Sequence, residues 1–153
     1  MSAFGSVRKD LKWTWRPLSQ DAFSGDKVAV IGGTNGIGRA LAHALAMKGA
    51  EVWIVGRTFR DHDFPRVHFI QADLSAMKNV RKIARDLPAD TLDMLIMTQG
   101  IFAGSKRRAS TEGIELDMAV SALSRFVLVR ELADQLGKNR SKGKPSVFVW
   151  GFP

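Results

Sequence analysis

The sequence contains no tyrosine and no cysteine, and only three histidines and five prolines among its 153 residues. Without cysteine there is no disulfide and no thiol nucleophile, which fits a reducing compartment. None of the histidines stands at metal-ligand spacing from another, so no metal site is expected. No apolar run reaches the roughly 18 residues that cross a bilayer, and the charged, Trp-bearing start from Met1 to Pro17 is unlike a signal peptide; a chain without a membrane span, cytoplasmic in location, is expected.

Acidic residues are the scarcer charge, 15 against 23 Lys plus Arg, leaving +8 and room for an anionic partner. The basic residues are scattered except at Lys106, Arg107, Arg108 and between Lys138 and Lys144. Both runs read as solvated loops without interleaved aromatics, and no nucleic-acid partner is expected. A hydrophobic fraction of 45% supports a single globular domain.

Strand and helix signals alternate along the chain. After a lead-in over 1–24, where Trp13, Trp15 and Pro17 do not suit a helix, the domain is placed at 25–153. Strand 1 is predicted over Lys27–Gly32, a helix over Gly36–Lys48, a turn at Gly49, and strand 2 over Glu51–Val55. Strand 3 follows over Arg66–Ile70. A helix is expected over Ser75–Leu87, with Ser75 as N-cap and Pro88 closing it. Strand 4 is placed at Leu92–Met97, a long helix at Thr111–Leu136, and strand 5 at Val147–Trp150. This alternation implies an α/β, Rossmann-like, doubly wound parallel sheet of about five strands in the order 3-2-1-4-5.

Gly32, Gly33, Thr34, Asn35, Gly36, Ile37 and Gly38 lie between the apolar run Val28–Ile31 and the helical repeat that starts at Arg39. A strand running through a glycine turn into a helix presents backbone N–H groups to a phosphate, and the expected strand order puts that turn at the topological switch point.

The glycine spacing resembles the TGxxxGIG fingerprint of the short-chain dehydrogenase/reductase family. Further segments are similar in order and spacing: Asp73 and Leu74 after strand 3, Leu92 to Ile96 in strand 4, and Thr111 to Glu115 before the long helix. Thr111 to Leu128 looks most like the retinol-dehydrogenase-like branch, and the resemblance runs from Lys27 to Gly151. It implies an oxidoreductase acting on an alcohol or carbonyl of a small lipophilic or secondary-metabolite substrate.

The resemblance assigns cofactor binding to Gly32, Thr34, Asn35, Gly36, Ile37, Gly38, Arg57, Thr58, Asp73, Leu74 and Gly100. Gly32 would allow the tight turn, Gly36 the approach of the diphosphate, and Gly38 close packing of helix on strand. Beyond strand 2, where an NAD site carries an acid for the ribose hydroxyls, Gly56 and Arg57 stand instead. Arg57 and Thr58 could take a 2′-phosphate, so NADP(H) is expected over NAD, with a solvated arginine as the plain alternative. Asp73 would recognise the adenine or simply cap the next helix.

Departures gather where the chemistry belongs. Met97, Thr98, Gln99, Gly100 replace the family's Asn-Asn-Ala-Gly, and Ser121 stands at the position of its catalytic Asn, too short for the same contacts. Where the family places a catalytic serine this chain reads Trp150, Gly151, Phe152, Pro153, and the Tyr-x-x-x-Lys segment has no counterpart. No catalytic residue is therefore assigned, and the domain is expected to be truncated relative to the family. A shortened oxidoreductase, a non-catalytic NADP-binding regulatory module and an interaction protein all fit these residues. Strand 5 would then be an uncovered apolar edge through which the chain self-associates or meets a partner subunit.

Overall fold

The computed structural model describes residues 17–150 except 62, 103, 105, 141, 142 and 144. The lead-in with Trp13 and Trp15, and the segment Gly151, Phe152, Pro153, lie outside the described residues. Five parallel strands, β1 (Lys27–Ile31), β2 (Glu51–Gly56), β3 (Val67–Gln71), β4 (Met94–Met97) and β5 (Ser146–Val149), form one sheet in the order β3-β2-β1-β4-β5. Helix α1 (Gly36–Met47) connects β1 to β2, and α2 (Met77–Asp86) connects β3 to β4. A helical stretch from Leu116 passes through a π-helical segment, Met118–Leu123, and continues as α3 (Ser124–Leu132) towards β5. The expected doubly wound sheet is the one found.

Two apolar layers explain the order. In β1, Val28 and Val30 face α1 beside Ala42, Leu45 and Ile54, while Ala29 and Ile31 face α2 and α3 beside Val80, Ile83, Leu95 and Leu128. Both faces are covered, as a central parallel strand requires, and β1 is fully buried from Val28 to Ile31. At the other edge, β5 keeps Val147, Phe148 and Val149 exposed. No helix among the described residues is long and apolar enough to cross a membrane.

Several boundaries differ from expectation for tertiary reasons. Ser75 is not the cap of α2: the helix starts at Met77, and the Glu112 carboxylate accepts the Met77 and Lys78 N–H groups at 3.0 and 3.4 Å. Glu112 arrives from 35 positions away on a turn closed by an antiparallel bridge between Ala109 and Glu115, so a full negative charge meets the helix dipole in place of a nearby hydroxyl.

That turn also delays the third helix, expected from Thr111. Gly113 has φ +76°, outside helical space, and Glu115 instead accepts the Asp117 and Met118 N–H groups at 3.1 and 2.7 Å as the helix begins. The same helix stops at Leu132 rather than Leu136, ahead of Gly137 at φ +66°. Strand β3 starts at Val67 because Arg66 has φ +62°. Strand β4 starts at Met94, after a 3-10 turn at Ala89–Thr91, and β5 is shifted back by one residue, with the Trp150 N–H still bonded to Met97 O at 2.9 Å.

Candidate functional site

Where β1 and β4 end, their connections leave towards opposite faces of the sheet, and a cleft of about 680 Å³ opens above the glycine turn. The turn is held by close backbone approach. A Cβ on Gly32, at φ +85°, would lie 2.7 Å from the Gln99 backbone nitrogen, and one on Gly33 would lie 2.9 Å from the Ile54 side chain. A Cβ on Gly38 would overlap the Gly32 carbonyl oxygen and Thr98 Oγ1. Gly36 differs: at φ +51° it borders the open cleft, and a Cβ there would meet nothing within 4 Å. Gly32 and Gly38 are packing glycines, whereas Gly36 faces open space at the cleft.

Helix α1 points its first turn at this opening. Asn35, its N-cap residue, makes no side-chain cap, and the first turn holds no acidic residue, so the positive end of the helix dipole is left for an external anion. Thr34 packs on the end of β2, where a Cβ on Gly56 would overlap its side chain. Thr98, at the place of a family asparagine, stitches β4 to β1: its N–H and its hydroxyl donate to Ile31 O at 2.9 and 3.0 Å.

Gly32, Thr34, Asn35, Gly36, Ile37, Gly38, Arg57, Asp73, Leu74 and Gly100 all line the cleft. Thr58 does not; it is exposed beyond the rim. Arg57 stands at the tip of β2, exposed, with its carbonyl accepting Gln71 Nε2 at 3.0 Å. Asp73 does not cap α2: its Oδ1 accepts the Ser75 N–H at 2.9 Å, closing a local turn ahead of the helix that begins at Met77, and the residue borders the cleft.

Ser121, expected to be too short for the contacts of the family's Asn, makes two hydrogen bonds of its own. Its Oγ accepts the Ile101 N–H at 3.3 Å and donates to Asp117 Oδ1 at 2.5 Å, from within the π-helical segment. It therefore anchors the backbone just after Gly100. Arg125, which the sequence did not single out, donates through Nη2 to Gln99 O at 2.5 Å and Trp150 O at 2.7 Å, tying the ends of β4 and β5. Burial lowers its pKa from the usual guanidinium value. The only sequence signal was a cation among apolar helix positions.

Next to the cleft, Asp61 on the β2–β3 connection accepts Arg39 Nε at 2.7 Å and Nη2 at 2.5 Å, with His43 Nε2 3.1 Å away. The hydrogen bond from Arg39, helped by His43, lowers the Asp61 pKa from 3.8 to about 2 against the opposing effect of desolvation. A depressed carboxylate pKa stabilises the fold above the unfolded value and loses that effect as pH falls through the folded one. Parent and Asp61→Asn chains should therefore differ in melting temperature above pH 4 and converge as the pH drops towards 2. A difference that stays constant across this window would contradict the assignment. Among the described residues, no group of three His, Cys, Asp or Glu side chains gathers as a metal site would require.

Residues 26–144 match the short chain dehydrogenase family. The chain is 43% identical over 148 residues to an uncharacterized oxidoreductase of Saccharomyces cerevisiae, covering 94% of this chain and 48% of that protein. It is 28% identical over 159 residues to polyprenol dehydrogenase of Mus musculus, covering 96% and 48%. A solved short chain dehydrogenase/reductase family protein superposes with a TM-score of 0.64 at 28% identity, over 86% of this chain and 60% of that one.

The fold and the glycine-turn cleft are those of a nicotinamide-dinucleotide oxidoreductase family, and the chain belongs to the short-chain dehydrogenase/reductases. It spans about half the length of the curated relatives it matches. Membership implies NAD or NADP as cofactor, and the cleft fits such a group: an open glycine, an uncapped helix N-terminus and a cation at its rim.

Proposed function

We propose that these residues form the cofactor-binding part of an NADP(H)-dependent oxidoreductase that acts on an alcohol or carbonyl of a small lipophilic substrate, secondary metabolites included. The observation that carries the cofactor choice is Arg57, at the cleft rim on the tip of β2, where an NAD site would place a carboxylate for the ribose hydroxyls. A guanidinium there offers a fork of donors and a permanent charge to a 2′-phosphate. The relative named as a polyprenol dehydrogenase supports a lipophilic alcohol as the substrate class.

When bound, NADPH supplies the hydride for carbonyl reduction. The chain's own part is to hold the dinucleotide. The first turn of α1 receives the diphosphate at Gly36 and Ile37, while Asp73 and Leu74 border the adenine end and Arg57 the 2′-phosphate. Ser121 and Thr98 hold the backbone that frames the opposite wall. A phenolic proton donor is not among these residues, since the sequence contains no tyrosine.

Thermal melting with and without NADPH tests the reading. Ligand that binds only the folded chain raises its stability by RT ln(1 + [L]/Kd), about 2.7 kcal/mol at a hundredfold excess over Kd. The parent should show this shift, and Gly36→Asp, which puts a carboxylate where the diphosphate would lie, should abolish it. An equal shift in both chains would place the cofactor elsewhere.

A further inference from the structure

We infer that Asp61 is a positioning residue for recognition of the 2′-phosphate: by clasping Arg39 and His43 of α1, it fixes the β2–β3 connection so that Arg57 stays at the rim of the cleft. The inference rests on the NADP reading above and adds to it a residue that does not touch the cofactor.

The connection leaves β2 at Gly56 and enters β3 at Val67. Its described residues contain no helix. Parallel neighbours are usually joined through a packed crossover helix, which would hold the residue after the strand in place. Here that task falls to side chains. Gln71 of β3 donates to the Arg57 carbonyl at 3.0 Å, Phe59 stacks on Phe69 with centroids 5.0 Å apart, and Phe64 stacks on His43 at 4.1 Å. Between the two stacks, Asp61 makes the bidentate contact with Arg39, the residue directly after Gly38.

The geometry couples two parts of one binding site. Arg39 and His43 stand on the helix whose first turn faces the cleft, and Asp61 stands four residues beyond Arg57. The clasp therefore ties the helix that borders the diphosphate position to the connection that carries Arg57, and so constrains the span that a dinucleotide with a 2′-phosphate has to bridge. Arg57, by contrast, is exposed, and its guanidinium makes no hydrogen bond or ion pair with the described residues. A long side chain of this kind is costly to order on binding, and a fixed backbone lowers that cost.

Electrostatics alone makes the opposite forecast, which gives the test its discrimination. Removing the Asp61 carboxylate deletes a negative charge near the site and releases the Arg39 cation, so a purely coulombic role would tighten binding of a phosphorylated cofactor. Loss of positioning weakens it.

The experiment is calorimetric titration of parent, Asp61→Ala and Asp61→Glu chains with NADPH, NADH, 2′,5′-ADP and 5′-AMP, alongside thermal melts. Asp61→Ala should weaken NADPH and 2′,5′-ADP by about tenfold, leave NADH and 5′-AMP within about twofold, and still melt cooperatively. Asp61→Glu, which keeps the charge, should regain part of the loss. If Asp61→Ala does not fold, Asp61→Asn keeps the side-chain volume and the same ratio is read from it. A parent preference for the 2′-phosphorylated ligands that survives or grows in Asp61→Ala overturns the positioning role and leaves the NADP reading intact. Equal binding of phosphorylated and unphosphorylated ligands by the parent overturns both.

Discussion

Alanine at Gly38 destabilises the fold by about 3 kcal/mol, and alanine at Gly36 by about 1 kcal/mol, although both replace a glycine of the same turn. At Gly38 the added methyl overlaps the Gly32 carbonyl oxygen and Thr98 Oγ1. Neither can withdraw cheaply: Gly32 N–H is bonded to Val55 O at 2.9 Å, and the Thr98 hydroxyl to Ile31 O at 3.0 Å. Relief requires α1 to move off the sheet, which breaks the packing of Ala42 and Leu45 against Val28 and Val30. At Gly36 the methyl meets nothing, and the cost is that of holding a non-glycine residue at φ +51°. Urea unfolding of the two variants reads the difference directly. Equal losses, or a larger one at Gly36, would mean that the two glycines do not divide packing from ligand space in this way.

Arg57→Asp lowers NADPH affinity by about 10- to 150-fold, equivalent to roughly 1.5–3 kcal/mol for loss of charged hydrogen bonds, and leaves NADH binding equal or tighter. The reversal follows from chemistry at one position. Arg57 borders the cleft at the end of β2, and a carboxylate there repels a 2′-phosphate but accepts hydrogen bonds from the free ribose hydroxyls. The exposed setting makes the NADPH loss salt-dependent, smaller at high ionic strength. Titrations with both cofactors at two salt concentrations check it, and parallel losses for NADPH and NADH would show that Arg57 serves the fold or the shared part of the cofactor.

The strand order and the glycine turn were legible because they rest on local pattern. The run Val28–Ile31, the glycines that follow and the helical spacing after Arg39 each carry a signal within a few residues. What the sequence did not disclose is held by distant partners. Glu112 caps a helix 35 residues earlier, so the nearby Ser75 looked like the cap. Ser121 reaches the Ile101 N–H through a π-helical segment that no apolar periodicity marks. Arg125 and Asp61 are ordinary charges in the sequence, and acquire a role only when the ends of β4 and β5, or α1 and the β2–β3 connection, come together. Thr58 follows Arg57 directly, yet it is exposed and does not line the cleft.

The most direct test of the account is calorimetric titration of the unmodified chain with NADPH and with NADH in the same buffer. A site built on the open Gly36, the uncapped first turn of α1 and Arg57 binds one NADPH per chain, at least about tenfold more tightly than NADH. Equal affinity for the two, or no binding of either by a cooperatively folded chain, would contradict it.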